Sequence, residues 1–323
     1  MLHLDFKGGP RFSKDSVSLA FDSGGGPSTL TCISHAHSDH VVNHDRAVMS
    51  PETRELISCR GFGLRHVVTV RNGSEIKVGD NLTLRLLDAG HVLGSSQFQV
   101  EADGSAVTYT GDINTYETVI SSPAEAKECD TLIIESTYGS PYYNFPPRET
   151  LYGEILGWIS RCISTGDIPA LKCYSIGKSQ EIIKLVNEYT SLPVVVGSHV
   201  AVTSRVYVGM GVGLEFVPAG SSEGAEVLKS GGCVYVDSMR RRPLVGRRFR
   251  WAIATGWALG QSFNEFEKSF PLSGHADFKG LIRYVGEVAP KKVYTQHGLA
   301  QSLASHLRRL GYDATAVPTS HRQ

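Results

Sequence analysis

The chain has 323 residues, 41% hydrophobic and 20% charged, enough for a large core and, as a soft prior, two domains of about 150 residues. Its 32 basic residues balance 32 acidic ones, so a surface for nucleic acid must be local rather than a global field. The opening Met1-Leu2-His3-Leu4-Asp5 lacks a basic-then-apolar secretory signal, and no apolar run nears the roughly 18 residues that cross a bilayer; a cytoplasmic protein without membrane association is expected.

Strand-like runs fill the first third, over 17–21, 29–33, 81–87, 96–100 and 106–110, with turn signals between them. A short buried strand at 132–134 ends at Glu135. From Pro147 the rhythm changes. Leu151, Ile155, Ile159 and Ile163 recur at helical spacing over 148–164, and a strand at 170–174, a helix at 179–189 and a strand at 193–197 follow. Further strands are expected at 231–236 and 251–254, and such alternation argues a parallel, three-layer unit. After Phe270 the turn-rich style returns, with a strand at 292–295 and a helix at 301–310. A helical α/β unit inserted into a strand-rich domain accounts for this order. The six cysteines contain no Cys-x-x-Cys pair and read as reduced, buried thiols.

Histidine carries the chemistry. His35-Ala36-His37-Ser38-Asp39-His40 packs imidazoles and a carboxylate, donors that suit zinc, into six residues after a strand. Alternate residues of an extended loop point to opposite sides, so two adjacent metals are expected. Further ligand candidates are His91, flanked by Gly90 and Gly94, and Asp112, at a strand end and suited to bridging both ions.

These residues together resemble the metallo-β-lactamase superfamily, whose fold is a four-layer αββα sandwich with a two-zinc site along one edge. By that resemblance His35, His37 and His91 hold one zinc, Asp39 and His40 the other, Asp112 is shared, and Asp22 orients a ligand from behind. Later segments narrow the resemblance to the β-CASP nucleases, which include RNase J, Artemis and the endonuclease that cleaves pre-mRNA before polyadenylation. Ile134-Glu135-Ser136-Thr137 looks like their motif A, Ser273-Gly274-His275-Ala276-Asp277 like motif B and Gln296-His297-Gly298 like motif C. Motif C here has Leu299 where an acidic residue often follows the glycine. The implied fold is α/β, a four-layer αββα metallo-β-lactamase sandwich with a small inserted α/β (β-CASP-like) domain. Its expected parts are 1–147, the insertion 148–265 and the return 266–323.

The resemblance implies two zinc ions, with manganese as the alternative, that lower a shared water's pKa toward ~7. His275 would protonate the leaving oxygen, Glu135 would orient it, Asp39 counts among both catalytic residues and ligands, and His297 would complete the second zinc's set. The expected substrate is RNA or single-stranded DNA, and compact relatives act as exonucleases or mRNA 3′-end processing factors. Arg240, Arg241, Arg242, Arg247, Arg248 and Arg250 form a candidate phosphate-tracking patch, and Lys178 and Ser179 at a helix start could hold a phosphate. The alternatives are a thioesterase or lactonase on the same metal core and a catalytically silent nucleic-acid-binding subunit.

Overall fold

The computed structural model describes residues 3–26, 28–239, 243 and 245–317. They divide into two compact units, one of residues 1–117, 122–144 and 275–323, the other of residues 118–121 and 145–274.

The first unit opens with β1 (His3–Asp5), β2 (Arg11–Lys14), β3 (Val17–Phe21), β4 (Thr29–Cys32) and β5 (Arg46–Met49). Helix α1 (Pro51–Ser58) starts where the Ser50 hydroxyl accepts the Thr53 N–H at 3.0 Å, with proline at its first position, and β6 (Val67–Thr69) completes the sheet. The strands lie in chain order, antiparallel from β1 to β3 and parallel from β3 to β6. The second sheet begins with an antiparallel run of β7 (Glu75–Gly79), β8 (Leu82–Asp88), β9 (Ser96–Ala102) and β10 (Ser105–Tyr109). β11 (Thr131–Glu135) then joins β10 in parallel.

The second unit follows as α2 (Arg148–Ser164), β12 (Ile168–Lys172), α3 (Lys178–Tyr189), β13 (Val194–Val196), α4 (Ser198–Gly209) and β14 (Val217–Pro218). It continues through α5 (Ser222–Ser230), β15 (Val234–Asp237), β16 (Phe249–Ala254) and β17 (Lys268–Phe270). Every pairing in its sheet is parallel, in the order β14-β13-β15-β12-β16-β17, over a core that includes Ile168, Val195, Tyr235 and Trp251.

The chain then returns to the first unit as α6 (Phe278–Val288), β18 (Lys292–Gln296), α7 (Ala300–Arg309) and β19 (Asp313–Ala316), with β11, β18 and β19 parallel. Alternation along β11 shows how its layers form. Ile133 enters a core shared by the two sheets, with Phe21 and Val48 from one and Phe98, Val100 and Tyr109 from the other. Leu132 and Ile134 point the other way, into Leu281, Tyr284 and Val285 of α6 and Leu303 and Leu307 of α7. Buried on both faces, β11 reads as a continuous apolar run. The first unit is thus a mixed α/β fold of sheet on sheet, with α6 and α7 on the outer face of the second sheet. All six cysteines are free thiols, five of them buried, and no described helix is long and apolar enough to cross a membrane.

Candidate metal centre

Parallel pairing gathers the site residues on one edge. β3 and β4 end together, Phe21 opposite Cys32, so Asp22 and the loop from Ile33 onward emerge side by side. In the second sheet β11 and β18 end together, Glu135 opposite Gln296, and β10 ends just short of them, Tyr109 opposite Ile133. Asp112, Glu135 and His297 therefore leave or end adjacent strands in the same direction. Glycine permits the closest approach. A Cβ at Gly111, whose φ is 55°, would stand 2.6 Å from the Ser34 Cβ, and one at Gly90 would stand 2.7 Å from the Asn114 carbonyl oxygen.

Four donors converge. His37 Nδ1 lies 3.0 Å from His35 Nε2 and 3.2 Å from His91 Nε2. Asp112 Oδ2 lies 3.5 Å from His35 Nε2 and 3.7 Å from His91 Nε2. Zinc bonds of 2.0–2.1 Å to a tetrahedron of ligands put neighbouring donors about 3.3–3.4 Å apart, and this donor set fits that spacing. Burial, reinforced by the surrounding imidazoles, holds the His35 pKa well below its usual value, so its ring is neutral and its lone pair is available. The same Asp112 oxygen is 3.4 Å from His40 Nε2, which faces Asp39 Oδ2 at 3.7 Å. Asp112 thus joins His35, His37 and His91 in one group of donors able to hold a metal ion and stands beside a second, His40 with His35 and Asp22. His297 is exposed at the margin, its ring centroid 6.1 Å from that of His40.

The support behind these donors centres on Asp22. Its Oδ1 accepts the Ser34 N–H at 2.7 Å; its Oδ2 accepts the Ser34 hydroxyl at 2.5 Å, His40 Nδ1 at 2.7 Å and the Tyr109 hydroxyl at 2.9 Å. Burial and Asp22 push the Tyr109 pKa well up, which keeps its hydroxyl a donor. Burial pulls the His40 pKa down, but the charges of Asp112 and Asp22 outweigh it and raise it to about 10. Asp22 and His297 both hold left-handed backbone, at φ 44° and 62°, an uncommon conformation that gathers at functional sites. Sequence reasoning missed Ser34 and Tyr109. Ser34 Oγ reaches His35 Nδ1 at 2.9 Å as well as Asp22, and its only signal was its place between a strand and the first histidine.

Glu135 and His275 meet beside the cluster. His275 Nδ1 lies 3.0 and 3.1 Å from the two Glu135 oxygens and 3.9 Å from Asp112 Oδ2. Glu135 is fully buried and also accepts the Ile113 N–H at 2.7 Å. Burial pushes its carboxyl up, but the charge and hydrogen bond of His275 prevail and hold it below the usual range.

Of the remaining predicted residues, Lys178, Ser179, Arg247, Arg248 and Arg250 lie in the second unit. Arg240, Arg241 and Arg242 lie outside the described residues. Arg247 donates to the Lys229 and Ser230 carbonyls at the end of α5, and Arg250 binds Glu267 through two nitrogens, so these guanidinium groups have internal partners. Arg248 is exposed. The expected phosphate cradle at the start of α3 uses its own donors: Gly177 N–H donates to Gln180 Oε1 and the buried Ser179 hydroxyl to the Tyr174 carbonyl. Lys178 lies largely buried with its ammonium 4.6 Å from the Tyr174 ring centroid.

Residues 268–318, which include His275 and His297, match the domain family described as "RMMBL: Zn-dependent metallo-hydrolase RNA specificity domain". That match and the donor clusters support a metal-dependent hydrolase, and the chain is related to the metallo-β-lactamase/β-CASP hydrolases. A protein of Opitutus terrae named "Probable DNA ligase" is 32% identical over 300 residues, 90% of this chain and 29% of that one. An "RNase J-like protein" of Methanocaldococcus jannaschii is 27% identical over 275 residues, 69% of this chain and 65% of that one. The "Cleavage and polyadenylation specificity factor subunit 3-II" of Arabidopsis thaliana is 26% identical over 248 residues, 62% and 38% of the two chains. The chain thus spans less than two thirds of the length of each of these relatives. A crystal structure of a protein of unknown function from Enterococcus faecalis superposes with a TM-score of 0.66 at 14% identity, covering 98% of this chain and 96% of that one, a likeness of fold alone.

Proposed function

We propose that the chain is a cytoplasmic zinc-dependent nuclease that hydrolyses phosphodiester bonds of RNA, built as a four-layer αββα sandwich with an inserted β-CASP-like domain. The observation that carries this reading is the Glu135–His275 pair, 3.0 Å apart and beside the Asp112 carboxylate. Hydrolysis of a thioester on such a core does not require a second, carboxylate-held imidazole, because a thiolate leaves without a proton. A phosphodiester does, because its leaving oxygen needs a proton.

His35, His37 and His91 would hold one ion, Asp39 and His40 with His297 the other, and Asp112 would lie between them. Two zinc ions, or manganese, would supply Lewis acidity that makes water a nucleophile at neutral pH and offsets charge on the phosphate. The residues do the rest. Glu135 engages Nδ1 of His275 and stabilises its protonated form, so Nε2–H can be delivered to the departing oxygen. Asp22 fixes the His40 ring through Nδ1, leaving Nε2 directed toward Asp39 and Asp112.

RNA is favoured by the match to an RNA specificity domain and by relatives named for RNase J and the polyadenylation factor. A second reading takes DNA as the polymer; its support is 32% identity to 29% of a protein named "Probable DNA ligase". The test is to incubate zinc-loaded protein with 5′- and 3′-labelled RNA and DNA and size the products, with His275→Ala alongside. Expected is metal-dependent strand cleavage, reduced about 10²–10⁴-fold in the variant at undiminished metal content. No cleavage of either polymer would refute the nuclease reading, and loss of metal in the variant would make His275 a ligand instead of an acid.

A further inference from the structure

The second unit contains a crevice that the proposed chemistry does not use. Its sheet is wholly parallel, so all its strands present their carboxyl ends on one edge. The chain leaves β12 through α3 toward β13 on one side and leaves β16 toward β17 on the other. The boundary between β12 and β16 is therefore a topological switch point, where open α/β sheets characteristically bind ligands. A cavity of about 420 Å³ lies there, lined by Lys172 at the end of β12 and Tyr174 after it, Ser238 after β15, and Thr255 and Trp257 after β16. That volume falls within the range of roughly 300–1,000 Å³ typical of small-molecule sites.

The lining narrows the chemistry. Three aromatic residues, Tyr174, Trp257 and Phe263, line it, the kind of side chain on which a flat ring stacks. The Ser175, Ser238 and Thr255 hydroxyls and the Gln261 amide add donors and acceptors suited to base edges and ribose. Lys172, whose ammonium lies 5.7 Å from the Phe266 ring centroid, is the cation among the described lining residues, and no carboxylate is among them, so the crevice favours an anion that draws this ammonium over. Flat, hydroxyl-bearing and anionic together describe one nucleotide.

We propose that this crevice binds a single nucleoside monophosphate, its base held among Trp257, Phe263 and Tyr174 and its phosphate by Lys172. The occupant is either a free mononucleotide or one residue of a bound strand, which share this chemistry. The inference goes beyond the nuclease assignment and stands on different residues, so either can fail without the other.

The test uses the full, metal-containing chain and titrates AMP, GMP, CMP and UMP, which have no phosphodiester bond to cleave, by calorimetry. A phosphorothioate tetranucleotide is titrated in parallel. Saturable mononucleotide binding, weakened on the order of tenfold by Trp257→Ala and retained by Trp257→Phe, is expected. Gln261→Ala, an exposed change that leaves the core alone, should weaken binding and alter preference among the bases. Comparable affinity for free nucleotides and the tetranucleotide would identify a free-nucleotide site; much tighter tetranucleotide binding with the same sensitivity to Trp257 would identify a strand subsite. No saturable binding would overturn the proposal. So would binding that survives Trp257→Ala but is lost in His37→Ala, because the nucleotide would then sit on the histidine cluster.

Discussion

Replacing Asp22 by asparagine should remove the ion on the His40 side while leaving the other. The change keeps the shape of the side chain, and asparagine tolerates the left-handed backbone at φ 44°. What changes is hydrogen-bond polarity. The carboxylate now faces four donors at 2.5–2.9 Å, and an amide has one oxygen to accept them. If the amide NH₂ takes the Oδ2 position, the Ser34 and Tyr109 hydroxyls can rotate to accept from it. His40 Nδ1 can accept only by moving its proton to Nε2, the atom that faces Asp39 and Asp112, and that nitrogen then has no lone pair for a metal. If the amide is flipped, its NH₂ meets the Ser34 N–H across 2.7 Å, a donor against a donor, with loss of a charge-assisted bond of about 1.5–3 kcal/mol. Either way affinity on the His40 side should fall about 10–100-fold, or about 1.4–2.8 kcal/mol. Elemental analysis during a chelator titration measures this directly: bound metal should drop from about two ions per chain toward one at chelator levels the parent withstands. Two ions held with unchanged affinity would refute the tautomer argument, and simultaneous loss of both would refute the separation into two clusters.

Proton release offers an independent check on the same side. Before an ion binds, the His40 ring titrates at about 10, because the Asp112 and Asp22 charges outweigh the effect of burial. A ligating imidazole must be neutral, so filling this side near pH 7 should expel close to one proton, and affinity should rise about tenfold per pH unit before levelling near pH 10. Calorimetry in two buffers of different protonation enthalpy reads the release; none at pH 7 would mean that the ring is already neutral. On the second unit, Arg248→Ala should reduce the log–log salt slope of single-strand binding by about 0.7, because this exposed side chain can meet a phosphate. Arg250→Ala should leave the slope nearly unchanged, because Glu267 already neutralises that guanidinium. Equal effects in the two variants would argue against a discrete contact.

The histidine loop, His91, Asp112 and the α/β rhythm after Pro147 were legible because each expresses a local rule: donors clustered after a strand, and a 3.6-residue apolar period. Helix α2 spans the expected residues, whereas β12 starts at Ile168, two residues early, because Pro169 reads as a strand breaker yet sits inside a parallel ladder. Helix α6 was hidden. Its sequence carries two glycines, and at one of them, Gly280, a Cβ would stand 2.2 Å from Thr115 Oγ1, so packing overrides propensity. Helix α4 was missed for a related reason: Val200, Val202, Val206 and Val208 are β-branched and give little amphipathic contrast. The arginine run shows the opposite error. Charge counting cannot reveal that Arg247 caps α5 or that Arg250 is paired with Glu267, since both partners are distant in sequence.

What assembles the site is strand direction rather than proximity in sequence. Antiparallel hairpins send successive strand ends to opposite edges of a sheet, so residues that follow consecutive strands are separated. Here β3 and β4 in one sheet, and β10, β11 and β18 in the other, are parallel neighbours, and their carboxyl ends share an edge. A residue just after any of these strands is delivered to the same place whatever the chain does between them. That is why the residues after β11 and β18 can meet although a whole second unit is spliced between those strands. Ser136 reinforces the geometry by donating its hydroxyl to the Gln296 carbonyl at 2.6 Å, tying the end of β11 to the end of β18. The ends of β11 and β18 are thus coupled through backbone register: slipping β18 by one residue against β11 would turn its alternate side chains to the opposite face and move His297 away from His40.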